Sequence, residues 1–314
     1  MKAPVGVLRV VDPFHEGEGW VPLSPPGYRV TVEPLAWPPR PSEVARIAAA
    51  AAREGARIVH GCGRWANLFA LPAARLVRAV AVCTDPGPLK FAEALALRAA
   101  DAVICESERA RDRCVRREGV PARKVCVVHP GVDLSRFLAR APGERPLIAA
   151  VGGLFAHNGH LDFLEAVARV RAQVPDLRVV CAGEGPLRPV LAQRIAFHGL
   201  RECVELAGHL PEVPALLARA HAAWTPGLRA TLEAMAAGVP VASVWREVVP
   251  PECLAPSGDA AALAGRLLAL LRDANLGAAL QKRAEKEFSL DAFGSRLSAV
   301  YGEVLVPGRV AAAN

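Results

Sequence analysis

Apolar residues in this chain fall into short continuous runs separated by stretches of helical spacing, and the alternation repeats along its length. Leu147–Val151 is an unbroken apolar run, the pattern of a parallel strand covered on both faces. Gly152-Gly153 ends it, and beyond Gly159 the residues Leu161, Leu164, Val167 and Ala168 share one helical face. Leu177–Ala182 repeats the run, Gly183-Glu184-Gly185-Pro186 repeats the break, and Leu187–Phe197 reads as the next helix. The N-terminal half follows the same rule. Strands are predicted at Val5–Val11, Tyr28–Val32, Arg57–His60, Ala79–Cys83, Ala102–Cys105 and Lys124–Val128. Helices are predicted at Ser42–Glu54, with Ser42 as N-cap after Pro41, and near Trp65–Val77, Leu89–Ala99 and Ser107–Glu118.

This alternation predicts an α/β protein of doubly wound sheets, in which ligands bind beyond the carboxyl ends of the strands. Gly152, Gly153, Gly183 and Gly185 lie at such ends, where the missing Cβ lets a phosphate or sugar approach the main chain. A tight turn is the competing reading of each pair. Gly131–Pro146, rich in Pro, Gly and charge, reads as a linker between a first domain over 1–135 and a second over 145–288, with a last helix over 289–305.

Composition changes the picture little. At 314 residues, 52% hydrophobic, the chain is long enough for two ordinary domains. The net charge of +7 raises nucleic acid or an anionic membrane surface as partners. Arginines are scattered through helices, however, and only 5% of residues are aromatic, so the basic–aromatic interleaving of a nucleic-acid binder is missing. Peripheral contact with an anionic membrane remains an expectation. Of the eight cysteines, Cys83, Cys105, Cys126 and Cys181 fall in or at the ends of apolar strands, and none shows metal-site spacing. Reduced, buried thiols and no metal are expected. The N-terminal MKAPVGVLRVV runs straight into a strand and no apolar stretch reaches a membrane-spanning length, which points to a cytoplasmic location.

The motifs VHPGVDLSRF, VGGL…NGHLDFLEA, LRVVCAGEGP, VELAGHLPEVPALLARA, LEAMAAGVPVAS and LAPSGDAAALAGRLLALL occur in an order that resembles the family-4 glycosyltransferases of the GT-B fold. The resemblance covers roughly residues 97–304. It implies two Rossmann-like doubly wound domains facing a cleft, with the last helix crossing back onto the first. It further implies transfer of a hexose from a nucleotide-sugar donor to an acceptor hydroxyl, with retention, no metal and no cofactor. The acceptor is left open among saccharides, lipid-linked saccharides and small molecules.

Carried over residue by residue, the family's site is partly kept. Gly152, Gly153, Gly183, Glu184, Leu210, Gly227, Leu228 and Glu233 are the implied donor-binding residues, Glu233 contacting the donor ribose from within LEAMAAG. Gly153 stands where the family has Arg, and Asn158 where it has Lys. Thr225, eight positions before Glu233, stands where the first Glu of the family's acidic pair is expected. In the first domain, VAVCTDPG replaces a His-bearing segment and leaves Thr84 and Asp85. Asp85 and Arg229 are therefore the candidate catalytic groups, with Arg246 as a further cation and His15 and Glu16 as candidates by position alone. Two readings compete: an active transferase whose charges have been replaced, and an inert descendant that binds or scaffolds.

Overall fold

The computed structural model describes residues 4–12, 23–87, 91–137 and 139–306; His15 and Glu16 lie outside them. The chain divides into two compact units, Met1–Gly131 with Leu290–Asn314, and Val132–Ser289.

The first unit contains strands β1 (Val5–Val11), β2 (Tyr28–Pro34), β3 (Ala56–Cys62), β4 (Val80–Thr84), β5 (Ala102–Cys105) and β6 (Val125–Val127), all parallel in the order β2-β1-β3-β4-β5-β6. Its first helices are α1 (Ser42–Arg53), α2 (Arg64–Leu76), α3 (Phe91–Ala99) and α4 (Glu108–Arg116). Side chains alternate across the sheet and so need cover on both faces. Leu8, Val10 and Val59 pack with Ile47, Ala66 and Ala70 of α1 and α2. Val7, Ile58, Val82 and Ile104 face Phe293, Leu297, Val300 and Tyr301. These last belong to the C-terminal helix Leu290–Val304, which thereby forms part of the first unit's core.

The second unit contains β7 (Leu147–Val151), β8 (Arg178–Ala182), β9 (Val204–Gly208), β10 (Ala222–Thr225) and β11 (Val241–Ser243), parallel in the order β11-β10-β7-β8-β9. Helices α5 (His160–Gln173), α6 (Arg188–Phe197), α7 (Val213–Arg219), α8 (Leu228–Ala236), α9 (Ala260–Arg272) and α10 (Ala274–Glu287) complete it, and the C-terminal helix is α11. Trp224 of β10 stacks on Phe163 of α5 with ring centroids 4.4 Å apart.

Two local expectations need correction. Ser42 does not cap α1: Pro41 already has helical angles (φ −54°), so its locked ring starts the turn one residue earlier and no side chain caps the end. Residues from Val132 onward are also built into the second unit. Val132 bridges Ser289 and donates to the Phe288 carbonyl at 2.7 Å, and Arg140 donates to the carbonyls of Gly238 and Ala220. All eight cysteines are free, and seven are buried. Among the described residues no helix is long and apolar enough to cross a membrane.

Candidate functional site

Each sheet has one place where successive connections leave in opposite directions, and ligands of doubly wound folds gather there. In the second unit it lies beyond β7 and its neighbour β10. Gly152, just after β7, is so close to Pro226, just after β10, that an added Cβ would lie 2.8 Å from the proline Cγ. Gly227 follows as N-cap of α8 and, having no side chain, offers no side-chain cap to the first turn of that helix. Among the described residues no atom lies within 4 Å of a Cβ built on Gly227, so they leave this end of the helix open.

The corresponding place in the first unit is closed. Asp12, at the end of β1, accepts from the N–H groups of Ala66 at 2.6 Å and Trp65 at 3.2 Å, so a carboxylate already occupies the N-terminus of α2. No local motif announces this cap, because Asp12 and Ala66 are 54 residues apart.

Glu233 sits in α8, four residues after Arg229 and partly buried. Burial raises its pKa above the usual carboxylate range, while the nearby charges of Arg229 and Arg136 oppose the rise. Leu210, after β9, is partly buried against the core. Glu184 is half exposed and ion-paired with Arg188 at 2.9 Å. The other glycines are pressed into neighbouring main chain. A Cβ on Gly183 would lie 2.0 Å from the Gly152 carbonyl oxygen, and one on Gly185 would lie 2.4 Å from that of Leu154. The turn reading of Gly183 and Gly185 thus has direct support: these residues let adjacent strand-end loops touch.

The positions where the resemblance expects cations serve the loop itself. Asn158 turns inward and donates to the Gly153 carbonyl at 2.8 Å, and the buried His160 Nε2 donates to the same oxygen at 2.8 Å. A Cβ on Gly153 would lie 2.6 Å from the ring of Phe155, which stacks on His157. Gly153→Arg with Asn158→Lys, intended to recreate two cations, should therefore cost roughly 1–3 kcal/mol of stability through crowding and one lost hydrogen bond. Thermal melts check this, and adding Phe155→Ala should restore part of the loss. Thr225 is fully buried in a chain of hydroxyls with Thr231 (2.9 Å) and, from Thr231, Ser243 (2.8 Å), so no carboxylate replaces the missing one there. Arg246 is exposed beyond β11.

Asp85 differs from the expectation of a free catalytic carboxylate. It is buried, it ion-pairs with Arg113 of α4, and Oδ1 accepts from the Gly87 N–H at 3.2 Å. Burial raises its pKa and the Arg113 charge opposes that. Thr84 hydrogen-bonds His60 Nε2 at 2.8 Å, and His60 Nδ1 meets the Tyr301 hydroxyl at 2.7 Å. His60, read only as a strand residue, is thus the imidazole beside the family's His position. Burial, reinforced by the charge of Arg9, holds its pKa well below 6.5, so the ring is neutral at pH 7.

Two family models match in succession, Glycosyltransferase Family 4 over residues 9–136 and Glycosyl transferases group 1 over residues 145–273. The chain belongs to the group 1, family-4 glycosyltransferases. Among curated relatives, alpha-D-kanosaminyltransferase of Streptomyces kanamyceticus is 33% identical over 139 residues, 40% of this chain and 36% of that protein. The putative colanic acid biosynthesis glycosyltransferase WcaL of Escherichia coli is 31% identical over 201 residues, 56% of this chain and 50% of that protein. The chain therefore spans half or less of the length of these two relatives. A solved glycosyltransferase from Rickettsia africae aligns with TM-score 0.81 at 15% identity, covering 98% of this chain and 100% of that one. Anabaena HepE, solved in complex with UDP-glucose, aligns with TM-score 0.77 at 16% identity, covering 94% and 99%. The fold of this family member is GT-B.

Proposed function

We propose that this glycosyltransferase-family chain binds a nucleoside-diphosphate hexose on its second unit. It transfers the hexose to an acceptor hydroxyl, with retention of configuration and no metal in the transfer step. The observation that carries the reading is the contrast between the two strand-end sites. The N-terminus of α2 is filled by Asp12, whereas that of α8 is open beside Gly152. An uncapped helix N-terminus favours an anion such as a diphosphate. Glu233 lies about one and a half turns further along the same helix and is the residue assigned to accept from ribose hydroxyls, and Arg229 brings a cation to the first turn. Asp85, held by Arg113, acts here as a positioning group and not as a base.

A second reading, an inert descendant that retains donor binding, is favoured by Gly153, Asn158 and Thr225. A lost charge-stabilising donor removes about 2.7–4 kcal/mol of transition-state stabilisation. Thermal-shift titration with UDP, GDP, ADP and their hexose conjugates tests the shared part. At about a hundredfold excess over Kd, a ligand should add about 2.7 kcal/mol to stability. Donor hydrolysis or transfer by the chain that binds separates the readings. Absence of any nucleotide-dependent shift would overturn both.

A further inference from the structure

At the carboxyl ends of β4 and β5, residues from three elements converge: Asp85 just after β4, Cys105 at the end of β5, and Cys114 in α4. One ligand atom from each lies within 4.8 Å of the others, and all three residues are buried. The two sulfurs are 3.7 Å apart. A tetrahedral ion with metal–sulfur bonds of about 2.3 Å sets its two sulfurs about 3.8 Å apart. The pair is thus spaced as ligands of one ion.

The surrounding charge agrees. Asp85 and Glu118 carry two negative charges against the single positive charge of Arg113, which contacts both. Glu118 is only 9% exposed, and its Oε2 is buried with no hydrogen-bond partner among the described residues. A buried carboxylate oxygen left unpaired is costly unless a cation or donor meets it. Asp85 is steadied as metal-ligating carboxylates are, by donors on its own oxygens, here Arg113 and the Gly87 N–H.

We propose that Asp85, Cys105 and Cys114 bind one soft divalent cation of the zinc type, tying the loop after β4 and the end of β5 to α4. Two thiolates, a carboxylate and tetrahedral spacing select such an ion over magnesium or calcium. The binding step balances without an oxidant: each thiol gives its proton to solvent as its sulfur bonds the ion, so one dication replaces two protons. The local net charge is unchanged. Water fills the fourth position, and Glu118, whose charge is felt by Asp85 and Cys114, offers its unpaired oxygen as an acceptor for that water. The site is structural, and it does not rest on the transfer reading above.

The test uses the full chain, kept reduced with a phosphine, refolded with Co2+ or expressed with Zn2+. We expect one ion per chain by native mass spectrometry. A thiolate-to-cobalt charge-transfer band, tetrahedral cobalt absorption and release of two protons per ion near pH 7 should accompany it. Cys105→Ser and Cys114→Ser should each weaken binding at least tenfold, and the double variant should abolish the band, whereas Cys181→Ser, buried in the second unit, should keep it. Glu118→Gln should weaken uptake more modestly. Cys105→Ala with Cys114→Val serves as the fold-preserving form if the serine variants melt. Failure of the folded, reduced wild-type chain to take up Co2+ or Zn2+ overturns the site, and so does a charge-transfer band that survives loss of both cysteines.

Discussion

Gly183→Ala should lower the melting temperature of the second unit sharply, while Gly227→Ala leaves it near the parental value. The added methyl at 183 would meet the Gly152 carbonyl oxygen at 2.0 Å, and that oxygen belongs to main chain held in the next loop. Gly152 itself donates to the Ala182 carbonyl and Gly183 donates to that of Gly208, so the loops cannot part without breaking these bonds. The Gly183 φ of +154° is also one that residues with a Cβ rarely adopt. Crowding of this kind costs roughly 3 kcal/mol or more. At roughly 3 °C per kcal/mol for a unit of this size, the melt should fall by about 10 °C. At 227 the methyl meets nothing within 4 Å among the described residues, and φ is an ordinary −97°. Replacing a glycine N-cap by Ala there should cost less than about 1 kcal/mol. Its effect should appear in donor binding, where a side chain would stand at the open helix end. Equal melting losses in the two variants would refute this division between a glycine the fold needs and one that faces a ligand.

That division marks how far the sequence could be read. The strand at Val5–Val11 and the run Leu147–Val151 coincide with β1 and β7, because a strand buried on both faces writes itself as a mostly apolar run, broken in β1 only by Gly6 and the buried Arg9. The alternation of glycine-ended strands with helices likewise announced doubly wound parallel sheets, and the order of the motifs carried the resemblance to the GT-B family. The glycines themselves were ambiguous. A missing Cβ admits a ligand or a neighbouring loop equally well, and only the partner distinguishes Gly183 from Gly227. Side-chain roles set by distant partners left no local trace. Asp85 gains its partner from Arg113, 28 residues on, and His60 gains one from Tyr301, 241 residues on. Asn158 could be seen to lack the expected charge, but nothing in NGH shows that its amide turns back to hold Gly153.

Glu233→Gln should weaken donor binding while leaving the chain as stable as the parent, or more so, at neutral pH. Burial makes ionised Glu233 unfavourable and raises its pKa, with Arg229 and Arg136 only partly offsetting this. A carboxyl whose folded pKa lies above its unfolded value holds its proton more firmly when folded. Its contribution therefore favours folding at low pH and is lost as pH rises from about 4.5 through the raised value. The glutamine cannot ionise, so it avoids that loss at neutral pH. A donor ribose reverses the preference, because its hydroxyls donate more strongly to a carboxylate than to an amide. Hydrogen bonds to charged groups contribute about 1.5–3 kcal/mol, so Glu233→Ala should weaken the nucleotide by roughly 10- to 150-fold, with Glu233→Gln between the two. Wild-type donor affinity should also fall as pH drops through the raised pKa, whereas the Glu233→Gln variant should show a flat profile there. Calorimetric titration over that pH range, paired with thermal melts of the free proteins, reads both effects. A Glu233 that only supports the fold would lose stability on replacement and leave any nucleotide affinity unchanged, the opposite of the pattern expected for a residue placed to meet a ligand.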